Sequence, residues 1–321
     1  MADAQTRICR RAFIAAAAAL AAAPGHAQAG SLRIVAPFPP GGSTDILARL
    51  LAERFGQSLQ QPAIVDNKPG ANGALGTDFV ARARPDGQTL LVTTNATVAI
   101  NPLLHKTPLD PAQALAPVLQ LVELELVLAV RADLPAKSFE EFLALARSRK
   151  DGLTFASVGA GSLSHLAGEA FRGAAGVPML HVPYKGAAPA LADLLSGQVD
   201  CYFGTPPTFL QHVRTGRLRV LASTGSQPSP WFERLPRVAD RFPGFDVVGW
   251  QGLFAPTGTP RPMLDKLAQL AAALLQEEPV RAKLAEQGMR VTGWAGAELA
   301  ASIQRERAYW SRLIAEHRIT A

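Results

Sequence analysis

Cysteine is almost missing from this chain: two occur among 321 residues, Cys9 and Cys201. The first falls in an N-terminal segment that reads as a removable address, so a disulfide framework is excluded and apolar burial must hold the protein together. At this length about three quarters of the unfolded surface goes inside, and two domains are the natural expectation. Long apolar runs are missing too. The longest, residues 12–23, falls well short of the roughly twenty residues that span a bilayer. Basic clusters are absent, although the formal net charge is +6. Arg33, Arg49, Arg54, Lys68, Arg82 and Arg84 are scattered without interleaved aromatics, which speaks against a nucleic-acid partner. His105, His165, His181, His212 and His317 form no i, i+4 pair of the helical zinc kind, so no metal is expected. Gly41-Gly42 lacks the glycine-lysine of a P-loop and residues 70–76 lack dinucleotide spacing, so no cofactor is expected either.

What is present begins with Arg7, Arg10 and Arg11, then the alanine-rich run, Pro24-Gly25 and Ala27-Gln28-Ala29. That three-part order is a signal peptide with cleavage near Ala29, Ala27 being the alternative. Arg10-Arg11 before Ala12-Phe13-Ile14 fits twin-arginine export, and ordinary secretion fits as well. Beyond it, residues 31–38 read as a strand, Pro39-Pro40-Gly41-Gly42 as a loop, and residues 45–59 as a helix with Ile46, Leu47, Leu50, Leu51 and Phe55 on one face. The order recurs: strands at residues 90–93, 126–130 and 153–157, helices at 139–149 and 163–175. This alternation predicts an α/β fold with mostly parallel sheets. From Pro262 onward the pattern is helical, with Leu264, Leu267, Leu270, Leu274 and Leu275 in phase and a second helix over residues 297–316.

Three stretches could carry function. Phe38, Pro40, Gly41, Gly42, Ser43, Thr44 and Asp45 join a buried strand to a helix start, where unpaired amides and the helix dipole favour an anion. A capped turn without any ligand carries equal weight there. Ser157, Gly161, Ser162 and His165 repeat the arrangement. Two such termini facing one cleft suit a solute with one or two carboxylates. Ser162 and His165 also raise the alternative of a secreted serine hydrolase, although the glycine spacing of a nucleophile elbow is lacking and no orienting third residue is evident. Tyr184 and Lys185, after a strand end, could donate to a carboxylate or could simply be a half-buried tyrosine beside a solvated lysine.

Taken in order, several strings resemble the receptor family of tripartite tricarboxylate transporters, the Bug receptors. They are Pro37-Phe38-Pro39-Pro40-Gly41-Gly42-Ser43-Thr44-Asp45, Asp66-Asn67-Lys68-Pro69-Gly70-Ala71-Asn72-Gly73, Pro85-Asp86-Gly87, Val182-Pro183-Tyr184-Lys185-Gly186, Gly197-Gln198-Val199-Asp200, and Trp250 with Gly252-Leu253-Phe254-Ala255-Pro256. The resemblance covers essentially the whole chain after the signal. It departs at Leu235-Pro236-Arg237-Val238, which lacks the usual proline-threonine, and at Asp110-Pro111-Ala112-Gln113, a loosened acidic segment.

The resemblance implies a type II periplasmic-binding fold of two α/β lobes joined by two crossing hinge strands, near residues 121–127 and 247–253. Lobe 1 would hold residues 30–123 and 247–321, and lobe 2 residues 124–246. It implies a monomeric, non-enzymatic periplasmic receptor for a small organic acid, namely a carboxylic acid, a dicarboxylate, or an amino-acid-like or nicotinate-like solute. The partner would be a transporter permease or a sensor kinase. Loop amides and hydroxyls would hold the carboxylate, with contacts on residues 38–44, on residues 93–96 with Thr93, Thr94 and Ala96 foremost, on residues 157–165, on Tyr184 and Lys185, and near Asp200. An Asp200 facing the cleft would turn the preference towards solutes bearing an amine or amide.

Overall fold

Strand β1 (Leu32–Ala36) is apolar except for Arg33 and buried along most of its length because helices cover both sides of its sheet. The computed structural model describes residues 31–317 except Pro108 and Glu233, so the expected signal segment and its cleavage at Ala29 lie outside the described residues. β1 pairs in parallel with β2 (Ala63–Asn67) and β3 (Thr89–Thr94). The chain then enters β4 (Leu115–Glu125), which continues through Leu126 into β5 (Val127–Arg131) of a second sheet. That sheet is completed by β6 (Leu153–Ser157), β7 (Met179–Pro183), β8 (Cys201–Gly204) and β9 (Leu218–Ser223). The return is β10 (Val248–Pro256), and β11 (Arg290–Val291) adds an edge. The orders are β11-β4-β10-β3-β1-β2 and β7-β6-β8-β5-β9: two mixed α/β sheets, one per lobe of a type II fold.

The expected predominance of parallel pairing is corrected. Among the described residues four pairings are parallel and five antiparallel. The antiparallel ones all involve β4, β5 or β10, the strands that carry the chain between lobes in opposite directions. Local strand-helix alternation contains no information about that reversal.

Thr224, fully buried, ties the two crossings together. Its backbone N–H donates to Leu126 O and its carbonyl accepts from Val247 N, both at 2.9 Å. Its hydroxyl accepts from Leu126 N at 3.2 Å and lies 2.6 Å from Val247 O. A hinge of two strands thus has one residue fastened to both.

Helices form where the apolar phase demanded them: Ser43–Leu59, Phe139–Ser148, Leu163–Ala175 and Gly296–His317. In the C-terminal region the reading of two helices is corrected to three helices and β11. Helix Arg261–Leu275 ends at Gln276, and Glu278–Glu286 restarts with Pro279 in its first turn, where a missing N–H costs nothing. The last helix packs on β4 and also on helix Leu163–Ala175, so it spans both lobes. Helix Leu163–Ala175 approaches β6 so closely that a Cβ on Gly168 would fall 2.2 Å from the Phe155 ring, which seats its N-terminus at the interlobe space. Among the described residues no helix is long and apolar enough to cross a membrane.

Candidate binding site

Along β4 successive side chains alternate between faces, as pleating requires. Leu124, with Leu126 just beyond, faces a cavity of about 310 Å³ between the sheets, whose walls also include Phe38, Trp250 and Gln251 from one lobe and Ser162, Tyr202 and Thr205 from the other. No side chain on this lining is charged. Glu123 and Glu125 face the other way, into a larger hollow of about 470 Å³ behind the crossing strands, shared with Asp246, Arg290 and two tryptophans. That rear hollow contains neither glycine loop, and its three carboxylates oppose an anion, so the interlobe cavity is the candidate site despite its smaller volume.

The loop after β1 is held from below by Asp45. This buried carboxylate accepts from Gly41 N at 3.0 Å, Asn67 Nδ2 at 3.0 Å and Arg49 Nε at 2.8 Å. Burial alone would raise its pKa, but the bonds from Arg49, Gly41 and Asn67 hold it below the ordinary aspartate value. Asp45, expected among the ligand contacts, is engaged in bracing the loop and is not on the cavity lining. Gly41 supplies the left-handed turn at φ 86°. Helix Ser43–Leu59 has no side-chain cap. Its first amides are left for water or a guest, and Ser43 Oγ, which accepts from Gln251 Nε2 at 2.6 Å, stands beside them on the cavity wall.

The loop after β6 is built differently. Ser162 caps helix Leu163–Ala175, accepting from His165 N at 3.3 Å while donating to Gly159 O at 2.6 Å. His165 Nδ1 accepts from Gly161 N at 3.1 Å, and its ring stacks on that of His181 with centroids 3.9 Å apart. Ser157 Oγ lies 2.6 Å from His181 Nε2. Burial pushes His165 down to about 4; burial, and then the neighbouring His165, push His181 to about 4. Both rings are neutral near pH 7, and the His165 lone pair nearest the loop is occupied by an amide. Ser162 and His165 thus form a cap and a loop anchor, and the hydrolase alternative is not favoured. Sequence presented the two glycine loops as equivalent; only the first leaves its helix start open.

Asp200, Tyr184 and Lys185 stand off the cavity lining. Asp200 accepts from Thr154 N at 2.9 Å and Thr154 Oγ1 at 3.0 Å, just before β8, whose opposite end, Gly204, lines the cavity. It is not on the cavity lining, so the condition on which an amine-bearing solute was favoured, an Asp200 facing the cleft, is not met. Tyr184 donates through its hydroxyl to Asp193 at 2.7 Å, and burial, then Asp193, push its pKa to about 12. Lys185 beside it is exposed, and neither lies on the lining.

Of the residues singled out from sequence, Phe38, Ser43, Thr94, Ala96 and Ser162 line the cavity. Pro40, Gly41, Gly42, Thr44, Thr93, Ser157, Gly161 and His165 stand on the loops and strands behind that lining. Asn95, inside the expected 93–96 stretch, lines it as well, whereas Asn72, Trp250 and Gln251 line it without being among the expected contacts. Asn72 and Trp250 belong to strings that carry the family resemblance, which was their available signal. Gln251 had none, since strand pairing alone brings it in: it sits opposite Thr94 across β10 and β3.

The profile of the tripartite tricarboxylate transporter family receptor matches residues 47–319. A protein from the tcbD-tcbE intergenic region of Pseudomonas sp. strain P51 is 35% identical over 290 residues, covering 89% of this chain and 86% of the relative. Among solved structures, R. palustris Rpa4515 with adipate superposes with TM-score 0.79 at 32% identity, over 90% of this chain and 98% of that one. MatC from Rhodopseudomonas palustris with bound malate gives 0.75 at 33% identity, over 88% and 98%. With two mixed sheets, a double crossing and an uncharged cleft between them, the chain belongs to the tripartite tricarboxylate transporter receptor family of solute-binding proteins.

Proposed function

We propose that this protein is exported to the periplasm, loses its signal segment near Ala29, and as a monomer captures a small carboxylate between lobes formed by residues 30–123 with 247–321 and by residues 124–246. The guest is then delivered to the membrane permease of a tripartite tricarboxylate-type transporter. One observation carries the reading: an uncapped helix start, Ser43–Leu59, borders an interlobe cavity whose lining has no charged side chain. Amides at a helix start satisfy a carboxylate without a counter-charge. The amides of Gly42, Ser43 and Thr44 and the Ser43 hydroxyl hold the carboxylate on the loop that Gly41 shapes, with Phe38, Thr94, Ala96 and Ser162 around it. The absence of an acidic residue on the lining leaves an ammonium group without a partner, so acids lacking an amine are preferred. That similar proteins were solved with adipate and malate supports the class.

Calorimetric titration of refolded, ligand-free protein with mono- and dicarboxylates, amino acids and sugars tests this. Binding of at least one simple carboxylate is expected. Binding of a sugar or amino acid with no carboxylate active would refute it.

A further inference from the structure

Residues 70–73 all have positive φ: Gly70 at 136°, Ala71 at 47°, Asn72 at 50° and Gly73 at 89°. Two non-glycine residues in the left-handed region are costly, and such strain persists only where surrounding contacts over-determine it. Here they do. The Asn72 carbonyl accepts from Thr97 Oγ1 at 3.1 Å and from Asn101 Nδ2 at 3.0 Å, and Asn72 Nδ2 donates to Asn101 Oδ1 at 3.0 Å. A Cβ on Gly73 would lie 2.8 Å from Thr97 Oγ1, so the turn has no room to relax in that direction.

What this holds in place is the remaining amide proton of Asn72. It points across the cleft to Gly161 O, 3.4 Å away on the glycine loop of the other lobe. Gly161 is itself in the left-handed region at φ 72°, and its N–H is fixed by His165. Two rigid turns, one per lobe, therefore meet through one side chain at the wall of the cavity that Asn72 and Ser162 both line. The separation is long for a hydrogen bond, as expected of a contact that tightens when the lobes draw together on a guest.

We propose that Asn72 is a closure latch, a positioning residue whose amide holds the two lobes together across the cleft and so slows release of the guest. This rests on the solute-capture reading. It adds to that reading a contact between the lobes at the cleft, apart from the hinge that Thr224 fastens.

The test is a distance measurement between spin labels on Arg84→Cys and Leu180→Cys, both exposed and one in each lobe, with and without adipate as probe. Native Cys201 is fully buried and stays unlabelled. Asn72→Gly keeps the left-handed turn and removes the amide; Asn72→Asp keeps a side chain of the same shape but sets an acceptor against the Gly161 carbonyl. Thermal melts of both variants serve as the folding control. A roughly fivefold rise in the open-to-closed ratio for Asn72→Gly, and a rise of roughly tenfold or more for Asn72→Asp, is expected from the loss of one net hydrogen bond and from added repulsion. An unchanged distribution in both folded variants overturns the latch, as does the lack of any closed population in the wild type. Should adipate and other carboxylates leave the wild type and both variants alike unaffected, while the ligand-free distributions still differ, the latch stands and the carboxylate reading fails.

Discussion

Replacing Asp45 by alanine should destabilise the protein more than any ordinary surface substitution, although its obvious partner is a surface arginine. The Arg49 side chain is 59% exposed, so that ion pair contributes little. The cost comes from the other two bonds. Truncation leaves Gly41 N–H and one proton of Asn67 Nδ2 without their charged acceptor at a site where the aspartate is only 3% exposed. Gly41 itself is exposed and Asn67 half-buried, so each donor recovers water in part, and at about 1 kcal/mol apiece the loss is about 2 kcal/mol. Asn67 keeps its bond to Phe38 O at 3.1 Å, which limits its share of that loss. Urea denaturation of Asp45→Ala beside Asp45→Asn measures this. The asparagine should recover part of the loss, because one of its two positions still accepts. The sign with pH follows from the lowered pKa: the stabilisation is present above the unfolded value near 4 and is lost as pH falls through the folded one. A loss under about 0.5 kcal/mol for the alanine variant, or one that does not shrink in acid, would refute the bracing argument.

Ser162→Ala removes the cap of helix Leu163–Ala175 and should cost about 1 kcal/mol in denaturant, with no labelling by a serine-reactive fluorophosphonate in either form; strong labelling of the wild type would revive a nucleophile. His165 and His181, with folded pKa values near 4 beneath an unfolded value of 6.5, contribute stability that is complete above about pH 6.5 and declines as pH falls towards 4. NMR titration should find both imidazoles neutral at pH 6, and a midpoint above 6 for either would contradict it. Thr224→Val keeps the shape but strands Leu126 N–H and the Val247 carbonyl at the hinge; a loss of about 2 kcal/mol is expected, and full wild-type stability would show that the clasp is dispensable.

Much of the chain's organisation was local and therefore legible. Helices begin where a glycine or serine precedes an apolar repeat, as at Ser43 and Leu163, and β6 ends at Ser157 because the next residues are Val158-Gly159-Ala160-Gly161. The C-terminal break before Glu278 escaped notice because leucine spacing outweighed a proline that tolerates either a helix end or a helix start.

By itself, the order of residues determined an α/β chain, glycine loops at two helix starts, and a family resemblance strong enough to imply a two-lobed receptor. Only the tertiary structure decided which loop stays open. Asp45 and Asn67 come together from 22 residues apart to brace the first loop, and Ser157 and His181 from 24 apart to close up the second. It also decided that Asp200 lies at the far end of its strand from the cleft, and that β10 brings Trp250 and Gln251 back to a wall begun at Phe38. A polar group's availability depends on which donors and acceptors surround it in space, and sequence spacing records only the neighbours along the chain.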